Sequence, residues 1–140
     1  MILPIFSVKD VAQSITFYEK LGFTRDMAFP GPDGALAFAF VKLGAGAETV
    51  IGLSRGSDVP ATPHVDFMIY TAEGLDVEAY YQKIKDQGIP IAEEIKTQYW
   101  GDRTFTVVDP DGYRIVLSQT IHQADPNKMA AIMRGDETAE

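Results

Sequence analysis

The chain has no cysteine, which excludes disulfide bonds and thiolate metal sites. Its 140 residues include only two histidines, His64 and His122, and one tryptophan, Trp100. No apolar run is long enough to cross a bilayer, and the first residues lack the basic region and cleavage site of a signal peptide. We therefore expect a cytoplasmic protein with no membrane partner.

Basic residues are scarce, since 12 lysines and arginines stand against 20 aspartates and glutamates, for a net charge of −8. Nucleic-acid binding requires a basic stripe on the surface, so we expect no nucleic-acid partner. A negative protein attracts cationic ligands, although an acidic surface is also a common way of staying soluble.

Hydrophobic periodicity and turn residues divide the chain into two similar halves. Each half is predicted to run strand, helix and then three strands. Asp10 and Asp76 begin the two helices and Gly22 and Gly88 end them, with the same spacing between the members of each pair. Such an internal repeat predicts two copies of one unit, each with a curled sheet, facing one another across a cup.

The fold class is therefore predicted to be α+β, with two βαβββ modules forming a cup-shaped mixed sheet in a single domain. We place the first module at residues 1–54, a Gly/Ser/Asp/Pro-rich linker at 55–63 and the second module at 64–119. A tail at 120–140 contains a short helix that begins at Asp125, with Pro126 at its first position. The apolar residues of this helix are predicted to pack on the domain or on a partner subunit.

The stretch from Trp100 to Gln119 is predicted to be a β-hairpin. Residues 103–108 and 113–117 suit a pleated, half-buried surface. Between them, Asp109-Pro110-Asp111-Gly112 has the composition of a tight turn, so we interpret the two carboxylates as turn residues and not as an acid/base pair.

Three features together resemble the glyoxalase/bleomycin-resistance/extradiol-dioxygenase superfamily, also called the vicinal oxygen chelate proteins. They are the paired βαβββ halves, the helix end Phe17-Tyr18 to Leu21-Gly22-Phe23, and the turn Asp109-Pro110-Asp111-Gly112-Tyr113. The resemblance implies a cup between two modules and a homodimer. It does not imply one function, because members include metal-dependent isomerases, lyases and dioxygenases as well as metal-free proteins that sequester drugs.

Metal-dependent members present one His, Glu or Gln ligand from each of four strands. By the resemblance, these positions fall on Leu3, Gly52, His64 and Val116, so that three of the four lack a donor side chain. We therefore expect no metal and no other cofactor. The alternative is a displaced divalent metal at His64, with Asp66 and Glu48, whereas the plain interpretation of His64 is a strand-end residue bonded to backbone or solvent.

Without a metal, the cup is expected to bind a small organic molecule among apolar and aromatic side chains. Tyr99 and Trp100 are candidates for stacking on a planar or cationic group, or else close one end of the sheet. Arg103 could bind a ligand anion, or could pair with Asp102, Asp109 or a neighbouring strand. The remaining candidates share strand faces that alternation places together, and they are Phe38, Phe40, His64, Asp66 and Met68.

The sequence thus predicts a metal-independent protein that binds, and can thereby sequester, a drug or other small organic ligand, and it leaves open whether the protein is also an enzyme. The alternative is a metal-dependent lyase, isomerase or dioxygenase of the glyoxalase type. A third hypothesis is an accessory domain whose cup is filled by its own Phe and Trp side chains.

Overall fold

The computed structural model of the chain describes residues 3–44, 49–56, 66–71, 75–123 and 125–135. Two βαβββ modules are followed by a short helix, which confirms the predicted α+β class. In chain order the elements are β1 (Ile5–Val8), α1 (Val11–Leu21), β2 (Thr24–Pro30), β3 (Leu36–Leu43), β4 (Thr49–Arg55), β5 (Asp66–Tyr70), α2 (Val77–Asp86), β6 (Ile91–Thr97), β7 (Asp102–Val108), β8 (Arg114–Thr120) and α3 (Pro126–Met133). None of the helices in the described ranges is long and apolar enough to cross a membrane.

Each module contributes one four-stranded sheet. The first has the order β1-β4-β3-β2, in which β1 is parallel to β4 while β3 is antiparallel to both of its neighbours. The second has the same pattern of order, β5-β8-β7-β6, with β6 antiparallel to β7. Pro4 immediately precedes β1, an edge strand, where the missing backbone donor of proline is tolerated.

Helix ends follow the predicted capping residues. The Asp10 side chain accepts a hydrogen bond from the backbone N–H of Gln13 at 3.1 Å, and Gly22 ends α1 in the left-handed conformation with φ of 109°. Asp76 caps α2 by accepting from the N–H of Glu78, and Asp125 caps α3 in the same way. These residues satisfy backbone groups that a helix leaves without partners at its ends.

The chain divides into two compact units, which do not follow the order of the sequence throughout. The first takes in the described residues up to Asp66 together with Val108–Arg114, and the second takes in Phe67–Val107 and the described residues from Ile115 onward. The turn of the β7–β8 hairpin therefore belongs to the first unit. The predicted linker lies largely outside the described residues, and the predicted module boundaries stay predictions.

In the first unit, α1 packs on the sheet through buried apolar side chains. Phe6 of β1 contacts Tyr18 of α1, with ring centroids 6.4 Å apart, and the buried apolar residues of this layer include Phe6, Val8, Ile15, Tyr18, Leu21, Ala39, Val41, Ile51 and Leu53. Burying each large side chain contributes roughly 1.5–3 kcal/mol, so this layer accounts for much of the stability of the unit.

In the second unit, Phe105 of β7 packs under α2, with its ring centroid 5.9 Å from that of Tyr80 and 5.1 Å from that of Tyr81. The other buried apolar residues of this unit include Ile69, Val77, Ile84, Ile89, Val107, Ile115 and Leu117. No residue of α3 is buried, and Met133 is 74% exposed. Met129 and Ile132 of the same apolar face are partly buried, and whether this face packs on a partner subunit stays a prediction.

The Asp109–Gly112 turn is held by buried carboxylates within the first unit. Asp109 accepts hydrogen bonds from the hydroxyl of Tyr18 at 2.8 Å and from the N–H groups of Asp111 and Tyr113 at 2.9 and 2.8 Å. Asp111 accepts from the N–H of Lys9 at 3.0 Å and from the hydroxyl of Ser14 at 3.4 Å. The predicted turn role of the two carboxylates is confirmed. The same carboxylates also bond to Ser14 and Tyr18 of α1 and to Lys9, which precedes α1.

Candidate functional site

The first unit presents an open, apolar face on the side of its sheet away from α1. Phe38 and Phe40 lie here, half-buried, with their rings edge to face at 4.9 Å, and Ile5 is 59% exposed. Gly52 lies among them: a Cβ placed on it would lie 3.2 Å from Ile5 Cγ1, 3.2 Å from Phe38 Cζ and 3.6 Å from Leu3 Cδ2. This face can bind an apolar or aromatic surface of a ligand.

The second unit has a different face on the side away from α2. Its centre is Asp102, which is 4% exposed, and whose Oδ2 atom accepts three hydrogen bonds. The donors are the Tyr70 hydroxyl at 2.8 Å, the Trp100 indole N–H at 2.9 Å and the Ser118 hydroxyl at 3.1 Å. Three strands or strand ends, at β5, β7 and β8, therefore meet at one carboxylate.

The electrostatics of Asp102 follow from these contacts. Burial alone would raise the pKa of its carboxyl, but hydrogen bonds from Tyr70, Trp100, Thr120 and Ser118 outweigh that effect and hold the pKa below its ordinary value. The hydrogen bond to Asp102, together with burial, raises the pKa of the Tyr70 hydroxyl. At neutral pH the site therefore holds a carboxylate and a neutral phenol.

The corner between β6 and β7 brings Trp100 to Asp102. Gly101 adopts φ of 99°, and its carbonyl accepts hydrogen bonds from the N–H groups of Ile121 at 2.9 Å and His122 at 3.2 Å. The Tyr99 ring stands edge to face with Trp100, at a centroid distance of 5.1 Å. Trp100 is half-buried, so its ring both covers part of the sheet and leaves surface for a ligand. Both interpretations of Trp100 from the sequence, a stacking surface and a residue that closes the sheet, agree with this geometry.

The other predicted site residues are placed as follows. The guanidinium of Arg103 pairs with Glu78 of α2 and donates to Thr97 of the neighbouring β6 at 3.1 Å, so its partners are neither Asp102 nor Asp109. Asp66 pairs with Arg114 at 3.2 Å in the first unit. Met68 is 44% exposed on β5, while His64 lies outside the described residues. Their roles toward a ligand stay predictions.

The sequence model of the Glyoxalase/Bleomycin resistance protein/Dioxygenase superfamily matches residues 3–117. The chain belongs to this superfamily. The match covers both modules and includes the Asp109–Gly112 turn, which confirms the family inferred from the sequence resemblance.

Curated proteins similar to this chain include bleomycin resistance proteins and uncharacterized proteins. A bleomycin resistance protein of Geobacillus stearothermophilus is 35% identical over 129 residues, covering 85% of this chain and 96% of the relative. An uncharacterized protein of Mycobacterium bovis is 27% identical over 144 residues, covering 93% of this chain and 90% of the relative.

Solved structures show the same fold. An antibiotic binding protein from a Streptomyces species is 28% identical with a TM-score of 0.68, covering 84% of this chain and 93% of that one. A glyoxalase-related enzyme from Clostridium phytofermentans has a TM-score of 0.70 at 20% identity, over 86% of this chain and 94% of that one. At that identity the second likeness concerns the fold alone.

Three of the four positions that the superfamily resemblance assigns to metal ligands carry residues without a donor side chain. Leu3 and Gly52 lie beside one another on the open face of the first unit, and neither side chain has a donor atom. Val116 of β8 has none either. Among the described residues there is no group of three or more His, Cys, Asp or Glu side chains able to hold an ion.

Proposed function

We propose that this superfamily member binds a small organic molecule directly, without a metal ion, and sequesters it. The observation that carries the proposal is the open face of the first unit, where Leu3 and Gly52 stand at ligand positions beside Ile5 and Phe38. An apolar surface replaces the donor atoms that a metal-dependent lyase or dioxygenase needs. Such a surface favours hydrophobic and stacking contacts with an organic ligand.

Two further observations support a drug-like, cationic ligand. One relative, at 35% identity, is named a bleomycin resistance protein, and a solved structure at 28% identity is described as an antibiotic binding protein. The net charge of −8 adds an attractive field for positive ligands. Sequestration requires only tight binding and no catalytic residues.

Calorimetric titration of the protein with metal-free bleomycin, in the presence of a chelator, tests this function. We expect saturable binding that the chelator leaves unchanged. Phe38→Ala should weaken binding about tenfold or more, because an aromatic contact surface worth roughly 1.5–3 kcal/mol is removed. Met133→Ala, which removes an exposed apolar side chain from α3, is the matched control and should bind like the wild type.

The outcome that overturns the proposal is binding that appears only when nickel, zinc, manganese or ferrous iron is added, since that would indicate metal-dependent chemistry. A thermal-shift screen of cationic glycopeptides and planar aromatics extends the test to other ligands. If neither bleomycin nor any compound of that screen stabilises the protein, the binding function is wrong.

We further infer that the protein acts as a cytoplasmic homodimer. The superfamily resemblance supports the dimer, and so do Met27 and Phe29, which are 51% and 46% exposed on the edge strand β2. Light scattering at micromolar concentration should give twice the chain mass of 15.4 kDa. A mass equal to that of one chain contradicts the dimer and leaves the binding function untouched.

A further inference from the structure

The buried Asp102 carboxylate lies on a sheet face that also carries the buried hydroxyls of Thr104, Thr106 and Ser118. Burying a carboxylate is costly unless it is hydrogen-bonded, and a single carboxylate oxygen here collects three donors. One of these donors, the Ser118 hydroxyl, comes from the adjacent strand β8. The other two donors are aromatic side chains, Tyr70 from β5 and Trp100 from the corner before β7.

The two aromatic side chains are held by their polar ends. Tyr70 is 54% exposed and lies on the edge strand β5, where an exposed side chain ordinarily samples several rotamers. Its hydroxyl is fixed at 2.8 Å from Asp102, and the indole N–H of Trp100 is fixed at 2.9 Å from the same oxygen. The Tyr99 ring, edge to face with Trp100, holds that ring on another side.

We propose that Asp102 is a positioning residue that holds Tyr70 and Trp100 as a preorganised, electron-rich aromatic surface for a cationic organic group, such as a quaternary ammonium. The inference rests on the proposed function and adds where, and by which chemistry, the ligand is recognised. Fixing the rings in advance lowers the entropy lost on binding. The negative charge behind them strengthens the attraction of the ring faces for a cation.

A first experiment follows the indole N–H in the ligand-free protein. Because Trp100 is the only tryptophan, a ¹H–¹⁵N spectrum contains one indole cross-peak. We expect slow exchange of this proton with solvent in the wild type. Asp102→Asn keeps an acceptor oxygen without the charge and should largely preserve that protection, while Asp102→Ala should lose it.

A second experiment uses choline and its uncharged isostere 3,3-dimethylbutan-1-ol as probes, with binding followed on the same cross-peak. The wild type should prefer choline. Asp102→Asn should weaken choline about tenfold and leave the alcohol unchanged, because only the charge is lost. Asp102→Ala should weaken both probes, because the rings are released. Asp26→Asn removes one exposed negative charge from β2 and should behave like the wild type.

The outcomes separate this inference from the proposed function. Equal affinity for the two probes, no perturbation of the indole signal by choline, or unchanged choline affinity in both Asp102 variants overturns the inference, whether or not bleomycin binds. If bleomycin does not bind and choline does, the positioning role stands and sequestration of that drug is wrong. Should Asp102→Ala melt below the working temperature, Asp102→Asn alone decides the charge effect.

Discussion

Replacing Gly101 with alanine is expected to lower the melting temperature by roughly 10 °C. A Cβ at this position would lie 2.1 Å from the backbone oxygen of His122, far inside van der Waals contact, and the φ of 99° is itself strained for a residue with a side chain. Strain and overpacking together cost about 3 kcal/mol or more, because the opposing atom is backbone and cannot rotate away. Thermal unfolding followed by circular dichroism measures the effect.

Gly34→Ala is the matched control for this prediction. Gly34 also has positive φ, of 83°, but a Cβ there would have no atom within 4 Å. Its substitution should cost only the conformational penalty of about 1 kcal/mol. Equal shifts in melting temperature for Gly101→Ala and Gly34→Ala would contradict the prediction. They would show that the backbone at residues 121 and 122 can move away from a Cβ on residue 101.

Replacing Asp109 with alanine is expected to destabilise the protein by about 3–5 kcal/mol. The carboxylate is 4% exposed and accepts from Tyr18, Asp111 and Tyr113, so its loss leaves a buried hydroxyl and two backbone N–H groups without this acceptor. Chemical denaturation gives the free energy of unfolding.

A double-mutant cycle with Tyr18→Phe isolates one of these bonds. Tyr18→Phe alone removes the donor and should cost about 1–2 kcal/mol, and its effect in the Asp109→Ala background should be much smaller. Fully additive losses would contradict the account of the turn as fastened to α1 through this pair.

Burial raises the pKa of Asp109 above its ordinary value of 3.8, despite hydrogen bonds that favour the charged form. Between the two pKa values the folded state binds more protons than the unfolded state, so this group favours folding at low pH and loses that contribution as the pH rises through its folded pKa. Asp102 has the opposite effect on the pH dependence of stability, because its pKa is lowered in the folded state. Its contribution to stability is lost as the pH falls below 3.8. Asp109→Asn should therefore remove the loss of stability with rising pH that Asp109 causes, and it should leave the loss with falling pH that Asp102 causes. Chemical denaturation across a pH series measures both dependences.

Local sequence signals predicted much of the fold. Asp10, Gly22, Asp76 and Asp125 act at short range, since each caps a helix through its own neighbours, and their positions were readable from spacing alone. The Asp109–Gly112 turn was readable for the same reason. Pro30 ends β2, an edge strand on which the missing donor of proline is tolerated.

The candidate site was less readable, because its contacts join residues that are distant in sequence. Tyr70 and Asp102 are 32 residues apart and meet only through strand order and register, so the sequence identified Trp100 but neither the carboxylate that holds it nor its aromatic companion. The ion-pair partner of Arg103 was missed similarly, since Glu78 comes from α2, whereas its bond to Thr97 lies on the neighbouring strand that the sequence analysis had offered. One signal was available: Asp102, an acidic residue directly before the strand-like run 103–108.

Metal content of untagged protein, with a thermal-shift titration using nickel, zinc, manganese and ferrous iron, tests the central claim most directly. A tightly bound ion would raise the melting temperature by mass action. With Leu3, Gly52 and Val116 at the ligand positions, we expect less than stoichiometric metal and no shift with any of the four ions. Stoichiometric metal with a raised melting temperature would contradict metal-independent binding and would direct the search for ligands to His64, Asp66 and Glu48.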